Sequence, residues 1–78
     1  MEKGNRPGLT ATQAEVARAV CKARGNARAA GEFLYMSDST MRRHLRAIKE
    51  ATGVGYKTYE ERKELKRLIG EYSKWLIS

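Results

Sequence analysis

Only two residues, Tyr35 and Met36, stand between two stretches that each carry the apolar spacing of a helix. That short joint limits the possible folds more than any other feature of the chain. From Asn26 to Leu34, Ala27, Ala30 and Leu34 recur at steps of three and four, with Arg28 and Glu32 on the opposite side. From Ser37 to Lys49, Met41, Leu45 and Ile48 recur at steps of four and three, the spacing that stacks side chains on one helical face. Helices joined by so few residues must cross steeply, as the pair in a helix-turn-helix does. Gly31 suits such a crossing: without a side chain it lets two backbones approach, against a helix-propensity cost of about 1 kcal/mol relative to Ala.

The second stretch is well specified as a helix. Ser37 can accept hydrogen bonds from first-turn amides, and Asp38 places a carboxylate at the positive end of the helix dipole. With Met41, Leu45 and Ile48 turned inward, Ser39, Arg42, Arg43, Arg46 and Lys49 face away from the core. A basic face is often no more than a solvated surface. Here it follows a helix-turn-helix joint, a motif whose second helix lies in the major groove of DNA. The charge distribution agrees. Residues 1–49 carry 10 Lys/Arg and 4 Asp/Glu, whereas residues 50–78 carry 6 and 5, so nearly all of the net +7 belongs to the helix-turn-helix half. A polyanion suits that half, because each phosphate it neutralises releases counterions. An anionic membrane fits less well, since the apolar stripe behind the arginines lacks Trp and Phe, the residues that insert.

With 78 residues the chain is expected to form one small domain. Residues 1–8, with Gly4, Asn5, Pro7 and Gly8 beside Lys3 and Arg6, read as a flexible tail. Residues 9–78 read as a single all-α unit: helix 1 over 9–24, helix 2 over 26–34, a recognition helix over 38–52 and a long C-terminal helix over 58–77. Thr10 or Thr12 is the expected first cap, Val16, Ala19, Val20 and Ala23 the first apolar face, and Arg24-Gly25-Asn26 a stop followed by a new cap. Gly53 ends the recognition helix. In the last helix Leu65, Leu68, Ile69, Tyr72 and Leu76 form one stripe with Trp75 at its edge. At about 1.5 Å per residue that helix is about 30 Å long, more than a three-helix unit needs for cover. It either folds back on the first helix or pairs with its copy in a second chain. The second option makes those six residues a homodimer interface, matched to a site with two half-sites.

Cys21 is the only cysteine and His44 the only histidine, too few for an internal disulfide or a protein-only zinc site. No metal or cofactor is expected. Cys21 lies beside the first helix's apolar stripe and reads as a small tolerated side chain. No run is long and apolar enough to span a bilayer and no signal-peptide pattern opens the chain, so a cytoplasmic, nucleoid-associated protein is expected. His44 has no carboxylate at useful spacing, and no phosphate-binding loop or acidic metal cluster occurs. Gly53-x-Gly55 lacks the remainder of a dinucleotide motif. The chain is not expected to be an enzyme.

The run from Asn26 to Glu60, with Ala30-Gly31, Leu34-Tyr35-Met36-Ser37, Thr40-Met41, His44-Leu45, Gly53-Val54 and Thr58, resembles the LuxR/GerE-type (NarL/FixJ-type) helix-turn-helix DNA-binding domain. Leu9-Thr10 and Glu15-Val16 are similar to the opening of that domain. An aromatic such as Tyr35 is common at its turn, where many other helix-turn-helix families carry Gly. The resemblance implies a four-helix domain whose third helix enters the major groove and whose fourth mediates dimerisation. It places Arg42, Arg43 and Arg46 at base edges, where Arg can meet guanine O6 and N7 in bidentate fashion. It places Ser39, Thr40 and His44 at phosphates, with Lys49, Arg28 and Lys57 as further phosphate contacts. His44 also fits a half-buried flank position beside Ile48. The last helix is longer and more charged than is usual in that family.

The expected function is that of a stand-alone, sequence-specific regulator of transcription on double-stranded DNA, with RNA polymerase a further possible partner. Two other readings use the same residues. Leu9-Thr10-Ala11-Thr12-Gln13, Gly25-Asn26-Ala27 and Ala29-Ala30 also look like the DNA-binding end of a viral small terminase subunit, in which the last helix would drive a ring. A sigma-region-four-like module or an adaptor using the Leu65–Leu76 stripe is the third.

Overall fold

The computed structural model describes residues 9–77, with side chains through Lys74; the tail expected over residues 1–8 lies outside them. Four helices follow one another, α1 (Ala11–Lys22), α2 (Ala27–Leu34), α3 (Asp38–Thr52) and α4 (Tyr59–Ile77), with no strand among the described residues. None of these helices is long and apolar enough to cross a membrane.

Each helix begins at a side-chain cap. The Gln13 amide donates to Thr10 Oγ1 and the Thr10 amide to Gln13 Oε1, both at 3.1 Å, a reciprocal capping box. The box sets the start of α1 at Ala11 and leaves Leu9 ahead of the helix as a buried core residue. Asn26 Oδ1 accepts from the Ala29 amide at 3.0 Å, and Ser37 Oγ from the Thr40 amide at 3.2 Å. Thr58 and Glu61 repeat the reciprocal arrangement ahead of α4, with both bonds at 3.1 Å. Two ends use glycine in the left-handed region. Gly25 (φ 90°) donates to the Val20 carbonyl at 2.9 Å, and Gly53 (φ 77°) to the Lys49 carbonyl at 2.7 Å. The helix 2 to helix 3 turn places a side-chain-bearing residue there instead, Tyr35 at φ 57°.

The helix-turn-helix closes on Gly31. A Cβ at that position would lie 2.7 Å from the Met36 carbonyl oxygen and 2.9 Å from Met41 Cγ. The turn and the first core residue of α3 therefore occupy the space a side chain would need. In the same turn the Met36 amide donates to the Gly31 carbonyl at 2.8 Å.

α1 is the hub and packs against all three other helices. Ala14, Val16, Ala17, Ala19, Val20 and Cys21 are all buried, and at about 100° per residue they cover more than half of the helix circumference. Val16 and Val20 join Ala30, Met41, Leu45 and Ile48 in one core. The remaining α1 face receives α4, which contributes Leu65, Ile69 and Tyr72 to the same core.

That packing corrects two expectations. Leu65, Ile69 and Tyr72 were candidates for a homodimer interface, but they are buried within one chain, because the small side chains of α1 give α4 a surface to lie on. Leu68 is half-buried against the same core, and the side chains of Trp75 and Leu76 lie outside those described. Cys21 is not beside the packed surface but in it: its thiol donates to the Arg62 carbonyl of α4 at 3.7 Å.

Candidate nucleic-acid interface

With Met41, Leu45 and Ile48 fixed in the core, the direction of every other α3 side chain follows from the helical repeat. Ser39, Arg43, Arg46 and Glu50, spaced by four, three and four residues, project away from the core and all are exposed. Arg42 and Lys49 lie to one side of that line and are exposed as well. Thr40, His44 and Ala47 lie to the other side and are half-buried. Of the three arginines expected at base edges, Arg43 and Arg46 thus occupy the outward line and Arg42 its flank.

The flank of Arg42 and Lys49 faces a cleft of about 1120 Å³ bounded by the start of α2, the length of α3 and the α3–α4 loop. Arg28, Arg42, Arg46, Lys49 and Lys57 line it, with Asp38, Glu50 and Glu61 as the opposing carboxylates. The fold therefore gathers Arg28 and Lys57, distant in sequence, onto the edge of the α3 surface. Two carboxylates are already engaged. Glu61 Oε1 accepts from the backbone amides of Lys57 and Thr58, both at 3.1 Å. The Thr58 amide bond is the largest influence holding this carboxyl below its ordinary value; burial opposes it, and the Lys57 amide, the Thr58 hydroxyl and the charge of Lys49 reinforce it. Asp38 Oδ2 lies 3.3 Å from Arg42 Nε.

The loop that carries Lys57 is pinned from α4. Arg62 Nη1 donates to the carbonyls of Tyr56 at 3.0 Å and Lys57 at 2.9 Å, so the loop cation has a fixed base although it is itself exposed. Thr40 has a use inside the fold, because its hydroxyl accepts from Ser37 Oγ at 2.9 Å within the cap of α3. Ser39 is exposed, with its hydroxyl 3.5 Å from Ser37 Oγ. His44, half-buried, does not reach the cleft.

Sequence reasoning missed Asp38 and Glu50 as members of this surface. Both were visible in the spacing, Asp38 four residues before Arg42 and Glu50 four after Arg46. Attention to the positive charge passes over them. Tyr35, at the turn before α3, is 97% exposed despite its left-handed backbone. Among the described residues no group of three or more His, Cys, Asp or Glu side chains is placed to hold a metal ion.

What the arrangement can do is present guanidinium groups to a groove and ammonium groups to its rims. Arg supplies a planar fork of donors for base edges, and the flanking cations neutralise phosphates. Residues 13–67, from the first turn of α1 to the middle of α4, match the family model of the PucR C-terminal helix-turn-helix domain. No curated protein and no solved structure matches the chain.

Proposed function

We propose that this chain, which belongs to the PucR C-terminal helix-turn-helix domain family, is a sequence-specific regulator of transcription that lays α3 in the major groove of double-stranded DNA. Membership makes it a helix-turn-helix DNA-binding domain; the groove, the contacts and the regulatory role are the proposal. One observation carries it. The side of α3 opposite the core presents Arg43 and Arg46 to solvent, with Arg42 alongside, next to a cleft rimmed by Arg28, Lys49 and Lys57. The resemblance of residues 26–60 to LuxR/GerE-type domains supports the same orientation of the third helix.

In this reading Arg42, Arg43 and Arg46 meet base edges, each bidentate contact contributing about 1–3 kcal/mol of discrimination. Arg28, Lys49 and Lys57 hold the backbone and set the register, and Ser39 contributes its hydroxyl there. Homodimerisation on paired half-sites belongs to the proposal too. It uses surface that α1 leaves uncovered, since Leu65, Ile69 and Tyr72 are occupied within the chain.

Selection of bound fragments from random DNA, followed by affinity measurement on the selected site and on random DNA, tests the reading. Arg43→Ala or Arg46→Ala is expected to relax preference at one base position each. Lys57→Ala is expected to weaken all sequences alike and to reduce the salt dependence of binding by about one phosphate contact. Equal losses on selected and random DNA for all three variants would refute it. Light scattering of the complex with one half-site and with two gives the stoichiometry.

A further inference from the structure

The carboxylates beside α3 do not fit a surface whose only task is to attract phosphate. Asp38 is the clearest case: it is the first residue of α3, and its Oδ2 lies 3.3 Å from Nε of Arg42, one turn further on. The pair joins two largely solvated side chains, 70% exposed for Arg42 and 45% for Asp38, and exposed pairs of this kind add little to stability. Its geometry matters more. Nε is the donor on the side of the guanidinium group. The carboxylate lies against Nε as an ion pair, which biases the side chain toward this rotamer and leaves the two terminal nitrogens at the far end, the fork that meets guanine O6 and N7.

We propose that Asp38 is a positioning residue for base recognition, its carboxylate holding Arg42 so that the terminal nitrogens point as a fork at a guanine. The inference rests on the reading of α3 as the base-reading helix and adds to it a reason for a carboxylate on that face. An arginine already ordered before binding loses less freedom when it docks. Each side-chain torsion has three staggered wells. Releasing one torsion lowers the competent fraction to about a third and releasing two to about a ninth, and apparent affinity falls in proportion. The loss applies to the guanine that the fork reads, so preference at that position falls and other positions keep theirs.

The test measures affinities for the selected site and for the same site with each base pair replaced in turn, using the full chain. Arg42→Ala identifies the base pair that Arg42 reads. Asp38→Asn, which keeps the size of the side chain and removes its charge, is expected to lower the preference there by about threefold to ninefold. Asp38→Glu, still able to pair at this spacing, is expected to restore most of it. In an Arg42→Ala background Asp38→Asn is expected to change no preference. Thermal unfolding of each variant is measured alongside. A Tm loss with affinity reduced equally on every site would make Asp38 a purely structural residue and overturn the proposal. Tighter binding to every sequence with unchanged preference would reduce Asp38 to a repelling charge and overturn it as well. If Arg42→Ala alters no base preference, the base-reading role of Arg42 fails first. If Arg42→Ala alters one and Asp38→Asn does not, the positioning role alone fails.

Discussion

Replacing Gly31 with Ala tests most directly how the helix-turn-helix joint is built. The added methyl would sit 2.7 Å from the Met36 carbonyl oxygen and 2.9 Å from Met41 Cγ, well inside ordinary contact. Met41 is fully buried, so its Cγ moves only by displacing core neighbours. The Met36 carbonyl belongs to the turn whose own amide donates to Gly31 at 2.8 Å, so moving it away strains that bond. Overpacking costs about 1–3 kcal/mol, and a weakened hydrogen bond up to about 1 kcal/mol more. The better helix propensity of Ala offsets about 1 kcal/mol. The net is a destabilisation of up to about 3 kcal/mol, and in a domain of this size each kcal/mol lowers Tm by about 4–8 °C. Gly70 supplies the control: it is exposed within α4, and nothing lies within 4 Å of a Cβ built there. Gly70→Ala is therefore expected to stabilise by about 0.5–1 kcal/mol. Urea titration of both variants beside the parent should give midpoint shifts of opposite sign. A Gly31→Ala midpoint at or above the parent's would refute the argument that close approach of the turn dictates glycine at this position.

Three further outcomes follow from individual residues. Glu61→Gln is expected to destabilise near neutral pH, because the hydrogen bonds from the Thr58 and Lys57 amides favour the charged carboxylate. A carboxyl lowered on folding contributes stability above its ordinary value of about 4.5 and loses it as pH falls through the folded value. Urea midpoints for parent and variant should therefore converge below that pH, and a gap independent of pH would count against the assignment. Cys21 is buried, and burial pushes its thiol above the ordinary 9.0 against the opposing pull of Lys66 and Arg62. Alkylation is expected to follow unfolding as urea rises, so rapid stoichiometric labelling of the folded protein would place the thiol elsewhere. Tyr35→Gly removes a left-handed residue that carries a side chain, a conformation that costs about 1–2 kcal/mol. The greater freedom of glycine in the unfolded chain offsets part of that gain. Its urea midpoint is expected at or above the parent's, and a clear drop would show that the exposed ring contributes to folding.

The helix-turn-helix is legible in the sequence because its determinants are local. Asn26 and Ser37 cap the residues immediately after them, and the Met41–Leu45–Ile48 stripe lies within one helix. The basic face of α3 follows from the same stripe by helical geometry. The destination of α4 is different, because it depends on a surface some fifty residues away in the chain. That surface is small: Ala14, Ala17 and Cys21 recur at steps of three and four on α1, but such side chains carry little hydrophobic signal beside Val16 and Val20. The apolar stripe of α4 therefore reads as unsatisfied, and a second chain looks like its natural cover. Once Leu65, Ile69 and Tyr72 lie on α1, the stripe of α4 as far as Tyr72 is covered within one chain. The consequence reaches the cleft beside α3. Arg62 of the same helix holds the carbonyls of Tyr56 and Lys57, so docking α4 on α1 also fixes the loop that brings Lys57 to the rim of the cleft. On the proposed function, loosening the α1–α4 contact should thus weaken binding to every sequence while base preferences persist.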